Sequence, residues 1–193
     1  MKKNNFGIDI NSPFILGMTA LSTLFLLIGT LTPLSMINLF GAYRTSFADP
    51  MQYLRLFTHV LVHENVGHFV GNFMMILAIG PLVEEKYGVK SLLLITAITA
   101  LVTGLVNVIF WPGRAVVGAS GIVFMLILLA SFTNIKQGRL PITVPLVAVL
   151  YIGNEILLGL FTVDNVSRIS HILGGICGAV FGIIYHSKML NSR

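Results

Sequence analysis

Apolar residues fall into six long stretches, roughly 13–34, 67–83, 91–110, 120–135, 141–161 and 169–185, separated by short polar joints. A hydrocarbon core of ~30 Å takes about 20 apolar residues per helix, so the pattern predicts six membrane-spanning helices. It leaves no room for an extramembrane domain. The joints read as Glu84-Glu85-Lys86-Tyr87-Gly88, Trp111-Pro112-Gly113-Arg114, Lys136-Gln137-Gly138-Arg139, and Asp164 to Arg168. Residues 35–65 are too many for a tight turn. They mix Tyr43, Phe47, Tyr53 and Phe57 with Arg44, Asp49 and Arg55, a pattern that suits a partly helical segment lying on the bilayer surface. The expected organisation is a cytoplasmic tail over 1–12, a six-helix membrane-embedded domain over 13–187, and a cytoplasmic tail over 188–193. Lys2 and Lys3 resemble the start of a signal peptide. The following apolar run is long and has no small-x-small site after it, so it is read as a retained span.

Composition sharpens this reading. Of 193 residues, 55% are hydrophobic and only 10% charged, and mean hydropathy is +0.90. A soluble domain carries about 25% charged residues, so a water-soluble globule is excluded, as are a disordered chain, a coiled coil and collagen. One cysteine, Cys177, allows no intrachain disulfide and no cysteine-based zinc site. A net charge of +5 would suggest nucleic acid in a soluble protein. Here it orients the chain, and no nucleic-acid partner is expected. With both termini on one side, that side holds 8 of the 12 lysines and arginines and the other holds 4. The bias puts the termini in the cytoplasm, and the second, fourth and sixth spans then run inward from the outer face.

The chemistry is carried by polar residues inside these spans. Such residues are costly there and face the bundle interior. His68 and Asn72, four apart on one helix face, lie early in the second span. Ser120 opens the fourth within Gly118-Ala119-Ser120-Gly121, and His171 falls in the first turn of the sixth. All three inward-running helices therefore carry polar groups at a similar, outward-shifted depth. A serine hydroxyl becomes a nucleophile when a neighbouring base takes its proton, and His171 is that base if the fourth and sixth spans touch. Gly174, Gly178 and Gly182 lie on the His171 side of the sixth span, and Gly118 and Gly121 flank Ser120. Such small-residue stripes let helix backbones approach closely. The Ser120 N–H at a helix N-terminus, with the His68 and Asn72 side chains, would form an oxyanion hole. The implied reaction is acyl transfer, peptide hydrolysis through an acyl-enzyme. No metal or cofactor is implied.

These pieces resemble the rhomboid family of intramembrane serine proteases. The resemblance rests on Phe57-Thr58-His59 through His63, His68 and Asn72, on Gly118-Ala119-Ser120-Gly121, and on His171 with Gly174 and Gly178, in the family's order. Glu84 also fits. The resemblance implies an all-α, six-helix rhomboid-like bundle with an interfacial first outer loop, in a bacterial plasma membrane and surrounded by lipid. It implies Ser120 as nucleophile, His171 as base, His68 and Asn72 as oxyanion donors, Gly118 as the family's glycine before the serine, His63 as support, and Phe124 stacked on the base. Single-span membrane proteins are the implied substrates. The chain has Leu54-Arg55 where the family has Trp-Arg, and Phe124 where the aromatic is often tyrosine.

A small transporter or channel would spread its polar groups along a pathway and often shows an inverted repeat; neither is visible. A proteolytically inactive relative that binds membrane clients need not keep both Ser120 and His171. His63-Glu64 with His68 imitates a zinc-protease motif, but at a spacing of five the histidines diverge by about 140° instead of ~40°. Glu155 is the one clear intraspan acid, read as interfacial. His59 is read as a loop residue without chemistry, and His186 as interfacial.

Overall fold

The computed structural model describes residues 11–133, 142, 145–147, 149, 150, 153 and 165–191. Within them the chain is helical: α1 (Pro13–Leu31), α2 (Met36–Phe40), α3 (Pro50–Thr58), a 3₁₀ turn (His59–Leu61), α4 (Val66–Tyr87), α5 (Val89–Phe110), α6 (Ser120–Ser131) and α7 (Asn165–Asn191). An antiparallel bridge between Ala42 and Val116 is the extended pairing among the described residues. Among the described residues four helices are long and apolar enough to cross a membrane: α1, α4, α5, and 168–187 of α7. Most of the predicted fifth span, Glu155 and the joint at 136–139 lie outside the described residues.

Helix ends follow local chemistry more than the edges of the apolar runs. Asn65 caps α4 by accepting the His68 backbone N–H. At the other end α4 continues through Glu84–Tyr87, where the apolar pattern predicts a joint. Helical hydrogen bonding does not require apolar side chains, and it persists until Gly88, whose φ of +79° turns the chain. Glu84 is therefore buried inside the bundle. Its two carboxylate oxygens accept the Phe14 and Ile15 N–H groups at 2.9 and 3.0 Å. It thus caps the N-terminus of α1 from another helix, where orphan donors and the helix dipole favour an anion.

Helix α6 is the centre of the bundle. It packs against α4, α5 and most extensively α7, and Gly121 to Val123 and Met125 to Leu129 are all buried. An apolar helix buried all round has no lipid or water face to present. Its 12 residues rise about 18 Å at 1.5 Å each, well short of the hydrocarbon thickness. Val116 to Ala119, just before it, are buried as well, so Ser120 starts a helix at the bottom of a recess.

The segment over 35–65 folds into α2, α3 and the 3₁₀ turn. Asp49 caps α3 by accepting the Met51 N–H and pairs with Arg55 at 3.3 Å. The Thr45 hydroxyl, first among its partners, holds the Asp49 carboxyl below its ordinary pKa. Arg55 also donates to the Leu39 carbonyl at 3.1 Å and lies over the Tyr43 ring.

Candidate active site

The close approach of α6 and α7 is set by glycine. A Cβ on Gly174 would run into the Gly121 carbonyl, and one on Gly178 into the Met125 carbonyl. One on Gly182 would stand 2.6 Å from the Phe132 ring. The stripe on α7 thus rides directly on the α6 backbone, as the small-residue spacing suggested. Gly121 in turn faces the Ser170 carbonyl, 3.2 Å from where its Cβ would be. One turn after Ser120, the Phe124 ring stacks on the His171 imidazole, with centroids 4.5 Å apart and planes 8° from parallel. Ser120 and His171 therefore sit in the first turn of α6 and on the facing stretch of α7, and Phe124 fixes the plane of the imidazole.

Helix α4 supplies the opposite wall. Gly118 has φ of +107°, and a Cβ there would stand 2.5 and 2.6 Å from His68 Cε1 and Nε2, and 3.6 Å from Asn72 Nδ2. That backbone conformation and that proximity both require glycine. Asn72 Nδ2 is buried with no hydrogen-bond acceptor, an unusual state for a buried donor. The N-cap residue of α6, Ala119, has no side-chain acceptor to offer the backbone N–H groups of the first turn.

Two histidines from the first loop hold this turn from behind. The Gly118 N–H donates to the His59 carbonyl at 3.0 Å, and the Ala119 N–H donates to His63 Nε2 at 3.3 Å. His63 stands edge-on to His68, Phe69 and Phe73. His59, read from sequence as a loop residue without chemistry, is buried in the 3₁₀ turn and its Nε2 meets the Ala100 carbonyl at 3.1 Å. These partners put the neutral His59 proton on Nε2 and the neutral His63 proton on Nδ1. Burial lowers both pKa values to about 4; for His63 the nearby His68 charge adds to it.

A cavity of about 360 Å³ opens on these groups. Glu64, His68, Arg114, Val117, Gly118 and Ser120 are among its lining residues. Its polar wall distinguishes it from an apolar groove of about 460 Å³ between α1 and α5. Among the described residues no cluster of His, Cys, Asp or Glu could hold a metal.

The model of the Rhomboid domain matches residues 50–188, nearly three quarters of the chain. The chain belongs to the rhomboid family. As a rhomboid it is a multi-pass integral membrane protein, in keeping with the four long apolar helices among the described residues. It is 28% identical over 146 residues to the "Rhomboid protease GluP" of Bacillus subtilis (strain 168), covering 74% of this chain and 28% of that protein. It is 34% identical over 80 residues to "Rhomboid-like protease 3" of Toxoplasma gondii, covering 42% of this chain and 30% of that protein. The matched stretch thus spans less than a third of either relative.

One buried polar residue beside the site escaped the sequence reading. Asn107, near the end of α5, donates from Nδ2 to the carbonyls of Ala42 and Arg114 at 2.9 and 2.8 Å. The signal was available, because an asparagine inside an apolar stretch is costly wherever it occurs.

Proposed function

We propose that this rhomboid is an intramembrane serine endopeptidase that cuts membrane-spanning substrates near the outer leaflet. In this reading His171 takes the Ser120 hydroxyl proton as Oγ bonds to the scissile carbonyl carbon. The resulting oxyanion is held by the Ser120 N–H, His68 and Asn72. Collapse breaks the C–N bond, His171 returns the proton to the departing amine, and an acyl-enzyme remains. Water arriving through the polar cavity then gives a proton to His171 as its oxygen bonds to the ester carbon; the C–Oγ bond breaks, His171 returns the proton to Ser120 Oγ, and the acid leaves.

The observation that carries the reading is the donor arrangement around Gly118. Asn72 Nδ2 is buried without an acceptor, beside a glycine turn that leads into a helix whose N-cap residue, Ala119, has no side-chain acceptor. Leaving buried donors unmet costs on the order of 1–3 kcal/mol each, and an acceptor that forms only during reaction gives that cost a use. The names of both relatives as proteases agree with it.

The test is cleavage of a model single-span substrate in liposomes, with labelling by a fluorophosphonate. The wild type should cleave and be labelled, and Ser120→Ala and His171→Ala should do neither. Cleavage that survives Ser120→Ala would overturn the assignment.

A further inference from the structure

Residues 111–119 connect α5 to α6 and end in the Gly118 turn. Their backbone is tied to the first loop at successive points. Ala42 and Val116 exchange N–H···O bonds at 3.0 and 2.9 Å, and the Gly118 N–H reaches the His59 carbonyl. At the root of this connection stands Asn107, 2% exposed. Its Nδ2 bonds reach one carbonyl on each side of the seam, Ala42 on the first loop and Arg114 on the connection. With two carbonyls as partners the amide has one possible orientation, and Oδ1 is left buried without a donor. A side chain that leaves its acceptor unmet to place both hydrogens on the seam serves the seam more than its own helix.

We infer that Asn107 is a positioning residue. It clamps the α5–α6 connection to the first loop and so sets where Gly118 and the Ser120 N–H stand relative to His68 and Asn72. The inference rests on the protease reading above. Removing the amide need not unfold the chain. Ala42 keeps the Val116 N–H as donor, and Arg114 lies at an exposed rim where its carbonyl can meet water. What is lost is the register of the connection four residues before Gly118.

The experiment compares wild type, Asn107→Ala, Asn107→Ser and Leu92→Ala in the full chain. Leu92 is fully buried at the other end of α5. The readouts are fluorophosphonate labelling rate, kcat and KM on a model substrate, and Tm. Asn107→Ala should lower labelling rate and kcat at least about tenfold with KM within about twofold, as a misplaced catalytic geometry does. Leu92→Ala should lower Tm at least as far, yet keep wild-type kinetics at temperatures where both are folded. Asn107→Ser, with one donor left, should fall between. Wild-type constants for Asn107→Ala, or an equal kinetic loss in Leu92→Ala, would overturn the inference. If Asn107→Ala does not fold, a wild-type kcat for Asn107→Ser overturns it. An inert wild type removes the protease reading and this inference together. An active wild type with inert Ser120→Ala and unaffected Asn107→Ala removes this inference alone.

Discussion

Replacing Gly118 by alanine tests the site at its tightest point. At φ of +107° an L side chain is strained, at a cost on the order of 1–3 kcal/mol. The added Cβ would also meet His68 Cε1 and Nε2 at 2.5 and 2.6 Å, where ordinary contact begins near 3.4 Å. Relief requires the imidazole or the turn to move by about 0.8–0.9 Å. The turn cannot retreat freely, because Gly118 is bonded to His59 and Ala119 to His63 behind it. His68 therefore yields, and it is one of the proposed oxyanion donors. A misplacement near 1 Å costs about 10²-fold in rate, or roughly 2.7 kcal/mol of transition-state stabilisation. The assay is cleavage of a model substrate in liposomes, normalised to folded protein, with Tm measured in parallel. Gly113→Ala is the control, because a Cβ there meets nothing within 4 Å and its φ is not positive. Gly118→Ala should lose about 100-fold in kcat and some Tm, and Gly113→Ala should lose neither. Activity of Gly118→Ala within about threefold of wild type would refute the claim that His68 must stay where it is.

Glu84→Ala should destabilise the bundle by about 3 kcal/mol, because it strips two charge-assisted bonds from the start of α1. Thermal unfolding in detergent checks this, and Glu84→Gln should lose less. On α7, Gly178→Ala should push the helix off the Met125 carbonyl and abolish both folding yield and cleavage. Gly175→Ala, where the nearest atom is Leu128 Cδ2 at 3.7 Å, should be tolerated. The depressed pKa values of His59 and His63, about 4 each, predict a pH effect on stability. The unfolded chain takes up protons near pH 6.5 while the folded chain resists them to about pH 4. Stability is therefore full above pH 6.5, falls as pH drops through that window by about 3 kcal/mol per histidine, and levels off below. Denaturation of wild type and His59→Gln at pH 7.5 and 5 reads it out. A flat wild-type profile would contradict the buried, neutral assignment.

Length and hydropathy carried much of the fold. The apolar runs at 13–34, 67–83, 91–110 and 169–185 each coincide with a long helix, because a span must satisfy its backbone internally. The ends were less legible. Nothing in Glu84–Tyr87 looks apolar, yet the helix continues to a glycine that can turn it, and Glu84 stays inside because α1 offers it two N–H groups. The glycine stripe from Gly174 to Gly182 could be read by its period alone. His59 could not. What decides its surroundings is the Ala100 carbonyl and the Gly118 N–H, 41 and 59 residues away in sequence, and no local pattern encodes such partners.

Asn107 and Asn72 show where the sequence rule needs refinement. Both are single asparagines in apolar runs, and a depth argument selected Asn72 because it shared a level with Ser120 and His171. Asn107 lies within the 91–110 run, near the end of α5, outside the three spans whose depths the comparison set side by side. Its two bonds nevertheless join the first loop to the connection that ends in the turn His68 and Asn72 face. A cavity at the mouth of a bundle needs donors that remain unmet and others that immobilise the backbone carrying them. In this chain Asn72 is of the first kind, with Nδ2 unpaired. Asn107 is of the second, with Nδ2 fully used and its oxygen left over. The distinction depends on which amide atom lacks a partner, and the fold alone decides that.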